Sequence, residues 1–564
     1  MKSKKLVAIL MATSMILSTA LVGCKAKEEK PDQGGKQSET TKMDKEQYLN
    51  VVLGSEPKTL DPSKATDIYS SQILTNAMEA LTRLEVGPDG KDVIKPGIAE
   101  KWEKSEDGLK WTFKLRDAKW SDGKPITADQ FVYGITRTLD KTTGAQYAFP
   151  LYPIKNAQEF NAGKAKAEDL GVKAINEKTL EFTLANPCAY FLDLTYFKIM
   201  QPQRKDIVEQ HGDKHGSEPN TMIFNGPYII SEWVHNNKVE LVKNKEYWDA
   251  DKVKLEKATM KIIKEETSRM NELFNGSLDV AGVSKPEWIK QFNDTGKFEV
   301  KKGYDSSVIY TFFNQKNKYF SNAKIRKAFA LAEDREGKTS TLYKNLAEPA
   351  YGLCPPAISV GEKEYRTTVA YNPIEALKKE NSDPKALLVE GLKELGLDPD
   401  PSKHTIKYLQ SGTDARAKEF SEFAQQNYKN ALGVNITCEY VEWPIFQKRT
   451  DEFDYEIASQ SCLADCNDPS TFFDMFKSDA NIVPTGWKND EYDKLMKDAG
   501  STIDQQKRTE MFKKAEKIII YDDAAISPGV WRFKNTYVRK HVKNYMAPIF
   551  GTLDLKYAYT EGRE

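Results

Sequence analysis

Ser121 and Lys124 stand three residues apart, the spacing of a serine nucleophile and the lysine that takes its proton. Their context argues otherwise: Asp122-Gly123 turns the chain just ahead of Thr127, where a helix starts, and the companion S-D-N and K-T-G motifs are absent. The four residues read as a turn. His211 and His215 are four apart and would share one face of a helix, but Gly212 and Gly216 break that helix, so a solvated loop is expected instead of a metal site. Cys462 and Cys466 flank Asp465 and leave two readings open, a soft-metal site or a local disulfide; two thiolates without a second pair make a poor ligand set. No G-x-S-x-G, H-E-x-x-H or Walker loop occurs. The chain is therefore expected to be no enzyme and to need neither metal nor cofactor.

The one covalent site that the sequence marks is Cys24. Three lysines in the first five residues, an apolar stretch over residues 6–22 and the ending Leu21-Val22-Gly23-Cys24 describe a lipoprotein signal peptide, residues 1–23, cut ahead of the cysteine. A transmembrane helix is the weaker reading, because Thr13, Ser14, Ser18 and Thr19 interrupt a stretch already short for a span. The mature chain is expected to start at a lipidated Cys24 and to sit outside the cytoplasm, anchored to the cell membrane. Residues 24–47 carry charge, Gly, Pro, Ser and Thr with almost nothing apolar, which predicts a flexible tether reaching about 25 to 30 Å.

Elements able to position a site must come from Tyr48 onward. The chain has 564 residues, well past the roughly 250 to 300 at which one hydrophobic core stops growing, so more than one lobe is expected. Its 83 basic residues balance 83 acidic ones with no basic stripe, which argues against nucleic acid as a partner. Five cysteines besides Cys24 cannot all pair within one monomer, so no disulfide framework is expected. Trp111, Phe113 and Leu115 alternate with polar residues, as do Leu180, Phe182 and Leu184, both at strand period. Thr127 and Gln130 form a capping box ahead of the helical stripe Phe131, Val132, Ile135 and Leu139. Ile73, Ala77, Ala80, Leu81 and Leu84 recur at helical spacing and predict a second helix, whereas the Pro- and Lys-rich stretch 355–384 reads as a surface loop. No internal repeat is present, and the whole reads as mixed α/β.

With no catalytic set, an exported and tethered body of several lobes is best read as a receptor that captures a solute and hands it to a membrane partner. Its segments EPKTLDP (56–62), PGIAEKW (96–102), KWSDGKPITADQFVY (119–133), NGPY (225–228) and ADCNDPSTF (464–472) together resemble the extracytoplasmic family 5 solute-binding proteins, in particular the oligopeptide ABC-importer lipoproteins. Further matches are DLGVKAINEKTLEFTL (169–184) and KIRKAFALAEDR (324–335).

The resemblance implies a bilobed type II periplasmic-binding-protein-like α/β fold. Lobe I would take residues 48–78, 207–305 and 533–564, an extra subdomain 79–206, and lobe II 306–532. It also implies that Asp465, in the A-D-x-N-D/E-P block, binds a peptide α-ammonium. Thr66, Asp67 and Ile68 would pair backbone with the peptide, Tyr147 would pack against it, and Trp443 and Trp531 would line side-chain pockets. The bland alternative for Asp465 is a surface acid capping the turn at Asn467-Asp468-Pro469. Where enteric relatives place an arginine for the peptide's C-terminus, this chain reads Ser459-Gln460-Ser461-Cys462, which leaves Arg449 or Arg532 as candidate cations. The implied partners are an oligopeptide and the permease subunits of an ABC importer, with the receptor itself a monomer. A peptide-sensing or adhesion lipoprotein of the same fold is the competing function.

Overall fold

Two long antiparallel strands, Phe298–Phe313 and Ile526–Arg539, tie the architecture together. Both are rich in aromatic and β-branched residues that suit a pleated, half-buried surface. They occupy the middle of an eleven-stranded mixed sheet. On one side of the pair lie Ile457–Leu463, Thr405–Ser411 and Asn435–Val441; on the other lie Val280–Gly282, Tyr48–Leu53, Lys257–Ile262, Lys238–Lys243 and Tyr228–Val234; the eleventh strand, Ala347–Pro349, pairs with Ile526–Arg539 off this path. The computed structural model describes residues 43–563 apart from 89, 345, 414, 465 and 481, so Cys24, Asp465 and most of the tether lie outside the described residues.

The sheet passes between separate hydrophobic cores. The first gathers residues from Leu49 to Val280 and from Val538 to Ala558; the second gathers Val308, Tyr310, Phe312, Phe472, Phe473, Phe512, Ile526 and Trp531 with their neighbours. A third packs Phe313, Phe320, Phe329 and Tyr428 beneath the helices Ala323–Ala332 and Ala415–Leu432. The pairing of the two long strands breaks where they leave one core for the other. Tyr304 faces Phe533 and Val308 faces Trp531, so Asp305, Ser306 and Ser307 oppose Arg532 alone, and Ser306 takes φ 52°. This bulge bends and twists the ribbon locally. Asp305 holds it by pairing with Arg532 Nε at 3.0 Å and accepting the Ser307 N–H at 3.1 Å.

Beside the first core sits a four-stranded sheet, Ala99–Lys104, Lys110–Leu115, Thr179–Thr183 and Val172–Asn176, whose second and third strands carry the alternating runs at Trp111 and Leu180. The helix Ala128–Leu139 lies next to it, with Gln130 accepting the Thr127 N–H at 3.1 Å and the Trp120 indole N–H at 2.9 Å. The Ser121–Lys124 stretch is a turn, closed by Gly123 N–H to Trp120 O at 2.8 Å.

Four local expectations need correction. The helix through Ile73 ends at Ala77, and Leu84 belongs to a strand, Thr82–Val86, paired with Asp92–Pro96. Apolar spacing alone could not show that the Met78 N–H caps the helix on Leu74 O. The stretch 355–384 is no surface loop: it contains a short hairpin, the buried Tyr365 and the helix Pro373–Glu380. Its prolines Pro373 and Pro384 sit in the first helical turn, where a missing N–H costs nothing. His215 is not solvated but buried against Asp61, 3.5 Å from its carboxylate, beside the Arg137–Asp61 pair. The last tether residues are also held. Asp44 N–H donates to Thr560 O at 3.0 Å, and the Gln47 side chain bonds the Thr560 carbonyl and amide at 2.9 Å each. Arg563 completes this clasp on Asp279 at 2.9 Å. No disulfide joins the five described cysteines.

The first and second cores also meet away from the strands. The segment carrying Cys188, Phe191 and Leu194 approaches Cys466, Asp468 and Asp474, and the turn at Gly108 comes up against Ile503. Burial next to Asp468 pushes the Asp193 carboxyl up to about 7. Burial likewise raises Asp474 to about 6; Asp468 and Asp479 add to the rise, while Lys477 and Arg508 oppose it. The folded form thus holds protons that the unfolded chain releases near pH 3.8. Stability from these two groups is complete below about pH 4 and is lost as pH rises through about 6 to 7. The thermal midpoint is expected to fall between about pH 5 and pH 8 and to fall less in Asp193→Asn. A calorimetric scan series checks this, and an unchanged slope in the variant would remove the assignment.

Candidate functional site

Between the elements of the first and second cores opens a cleft of about 1220 Å³. That exceeds the 300 to 1000 Å³ typical of small-molecule sites and leaves room for an extended ligand of several residues. The starts of four helices line it: Ile68, Lys285 to Glu287, Ala415 with Arg416, and Trp443. A helix start leaves backbone N–H groups without intrahelical acceptors, so the walls offer amide donors at several points.

One wall holds an open strand edge. Ile457–Leu463 pairs along its length with Ser307–Phe313, but on its other side only Ile457 and Ala458 pair, with Tyr408 and Leu409. From Ser459 to Leu463 that second edge has no strand partner among the described residues, and Ser459, Gln460, Ser461 and Leu463 face the cleft. An unpaired edge exposes alternating N–H and C=O groups that another strand completes.

The residues expected at the site are partly brought together. Ile68 is 54% exposed and lines the cleft. Asp67 caps the helix Ile68–Ala77, its carboxylate accepting the Ser70 N–H at 2.8 Å, and Thr66 is half-buried just before it. Trp443 is 46% exposed and also lines the cleft, its ring stacked on Phe446 at 5.4 Å. Tyr147 packs on the first core, edge-on to Phe149 at 4.8 Å and beneath Lys198, which bonds Ser71 at 2.8 Å. Trp531 lies in the second core instead of the cleft lining. Asp465 itself falls outside the described residues; its neighbours Ala464 and Cys466 are buried, and the turn beyond it is capped by Asp468, which accepts the Ser470 N–H at 3.0 Å. Among the described residues no group of acids, histidines and cysteines is arranged for a metal.

Of the two candidate cations, Arg449 is held by Glu439 at 2.6 Å and Asp454 at 2.7 Å and does not line the cleft, whereas Arg532 does. Sequence reasoning overlooked the open edge at Ser459–Leu463 and the cations Lys344, Arg416 and Lys534, all in the lining. The edge is visible only from strand pairing. Two residues apart on the strand Ile526–Arg539, Arg532 and Lys534 share one face.

A mixed α/β body whose large cleft offers an open strand edge and helix-start amides has the architecture of a receptor for an extended solute. The family model for bacterial extracellular solute-binding proteins, family 5, matches residues 93–483, and the chain belongs to that family. It is accordingly a binding component and not an enzyme, with the bilobed fold of its relatives. The chain is 33% identical to the dipeptide-binding protein DppE of Bacillus subtilis, over 97% of this chain and 98% of that one. It is 32% identical to the oligopeptide-binding protein OppA of the same organism, over 91% and 92%. The solved structure of Haemophilus influenzae OppA in complex with RPPGFSPFR superposes with a TM-score of 0.77 at 27% identity, covering 92% of this chain and all of the other (100%).

Proposed function

We propose that this protein captures oligopeptides outside the cytoplasm and delivers them to the permease of an ABC importer. The carrying observation is the free edge of Ser459–Leu463 inside the cleft, which leads straight to Asp465. A peptide laid along it completes the sheet with main-chain bonds that any sequence can supply. Asp465 then takes the leading ammonium in a charge-assisted hydrogen bond, while Thr66 to Ile68 and Tyr147 form the facing side. Trp443 supplies a flat apolar wall for a side chain. The named ligands of the B. subtilis and H. influenzae relatives support a peptide, and the cleft volume suits more than two residues.

In this reading lobe I comprises 48–78, 207–305 and 533–564 with the subdomain 79–206, lobe II comprises 306–532, and the bulge at Asp305–Ser307 is the pivot between them. A lipid on Cys24 keeps the receptor, a monomer, beside its permease. Titration calorimetry with free tri- to pentapeptides is expected to give dissociation constants of about a micromolar or tighter. Absence of heat for every peptide would sink the proposal. Cys24→Ser is expected to release the protein from the membrane fraction, which fractionation and blotting read directly.

A further inference from the structure

We propose that Lys534 selects for a carboxylate on the bound ligand, an inference that rests on the peptide reading and narrows it to acidic peptides or free C-termini. Lys534 lies in the cleft wall two residues from Arg532, on the same face of the strand Ile526–Arg539. The two cations differ in what they already hold. Arg532 is engaged by Asp305 at 3.0 Å and by Ser307 Oγ at 3.0 Å. No ion pair or hydrogen bond among the described residues engages the Lys534 ammonium.

The acids nearest to it are occupied. Asp305 and Asp92 are the two whose charge reaches Lys534. Asp305 serves Arg532 and the Ser307 N–H, and Asp92 accepts the amides of Ile549 at 2.9 Å and Phe550 at 2.8 Å. Lys534 is nonetheless exposed to the cleft, and burial of its surroundings holds its ammonium below the ordinary lysine range. A cation in that position is under-solvated and under-paired, so an incoming anion gains more there than at an open surface.

Space exists for such a group. The residue directly across the ladder is Gly303, where an added Cβ would meet nothing within 4 Å. The rest of the lining favours the same sign. Besides Arg532 and Lys534 it contains Lys285, Lys338, Lys344 and Arg416, against the acids Glu287, Asp305 and Glu419. Lys285, Lys338 and Arg532 are already paired with Glu266, Glu333 and Asp305, so among the described residues of the lining the cations without an acidic partner are Lys344, Arg416 and Lys534.

The test is calorimetry on the full chain with tetra-alanine peptides carrying a single Glu at each position in turn, their Gln counterparts, and each peptide as its C-terminal amide. One acidic form, side-chain or terminal, is expected to bind about tenfold tighter than its neutral twin. That gap is expected to close in Lys534→Gln and to persist in Lys534→Arg, while the thermal midpoint of Lys534→Gln matches that of the wild type, which separates charge selection from damage to the fold. The Gln arm reports a side-chain carboxylate and the amide arm a terminal one. Equal affinity of acid and neutral forms throughout, or a gap that survives Lys534→Gln, overturns the inference while the peptide reading stands. Failure of every peptide to bind overturns both.

Discussion

Asp465→Ala is expected to weaken capture of an oligopeptide with a free amino terminus by about 3 to 5 kcal/mol, roughly two to four orders of magnitude in dissociation constant. In the proposed reading the closed cleft would enclose this pair, and the size follows from that. A carboxylate and an ammonium shut in a cleft away from water attract strongly, and removing one partner leaves the other buried without a counter-charge. The segment that carries Asp465 is set in place on both sides, with Ala464 donating its N–H to Ser306 O at 3.0 Å and Asp468 locked to Arg508. N-acetylation of the peptide removes the same interaction from the ligand's side. Acetylation should therefore cost the wild type as much as the substitution does, and cost the variant little, a non-additivity that a double-mutant cycle reads. Equal binding of free and acetylated peptides by the wild type would dismiss the amine contact while leaving the strand edge as a site.

Arg508→Ala is expected to lower the stability of the fold by about 3 to 5 kcal/mol. Arg508 is completely buried and grips Asp468 through both terminal nitrogens, at 2.8 and 3.0 Å, while its Nε donates to Ala499 O at 2.8 Å. These bonds join the helices Asp490–Ser501 and Gln505–Glu516 to the turn after Asp465. Among the described residues, truncation leaves the interior Asp468 carboxylate with the Ser470 N–H as its remaining side-chain partner. Urea unfolding followed by circular dichroism gives the comparison. A shift below about 1 kcal/mol would show that the pair is solvated after all. Asp468→Asn with Arg508→Met removes both charges together and is expected to recover much of the loss, because no unpaired ion remains.

Much of this molecule is legible in its sequence, and the limit of that legibility has physical causes. Alternation at Trp111 to Leu115 and at Leu180 to Phe182 named two strands of the four-stranded sheet, and Thr127 with Gln130 marked a helix start, because period and capping are local properties. The helix through Ile73 was overextended because Ala80, Leu81 and Leu84 are buried for tertiary reasons that mimic helical spacing. Pro373 and Pro384 looked like loop residues, yet each opens a helix behind an Asx cap, Asn372 and Asp383. At the site, the family resemblance pointed to Trp443 and Ile68, which do reach the cleft, and to Trp531, which packs behind it. The strand edge at Ser459 was illegible because an edge is defined by a neighbour that is missing, and only the ladder shows that.

The clasp between Asp44, Gln47 and the final residues has a consequence for biogenesis. Thr560 and Arg563 hold Gln47 and Tyr48 at the beginning of the body, 513 and 515 positions away in sequence, while Ile526–Arg539 fills the centre of the sheet. Contacts of such long range are slow to form and cannot close until the whole polypeptide is available. A nascent chain therefore stays unlocked until Thr560 and Arg563 emerge, which on the exported reading would keep it threadable through a secretion pore. Removing its last few dozen residues should leave an open-ended chain prone to proteolysis.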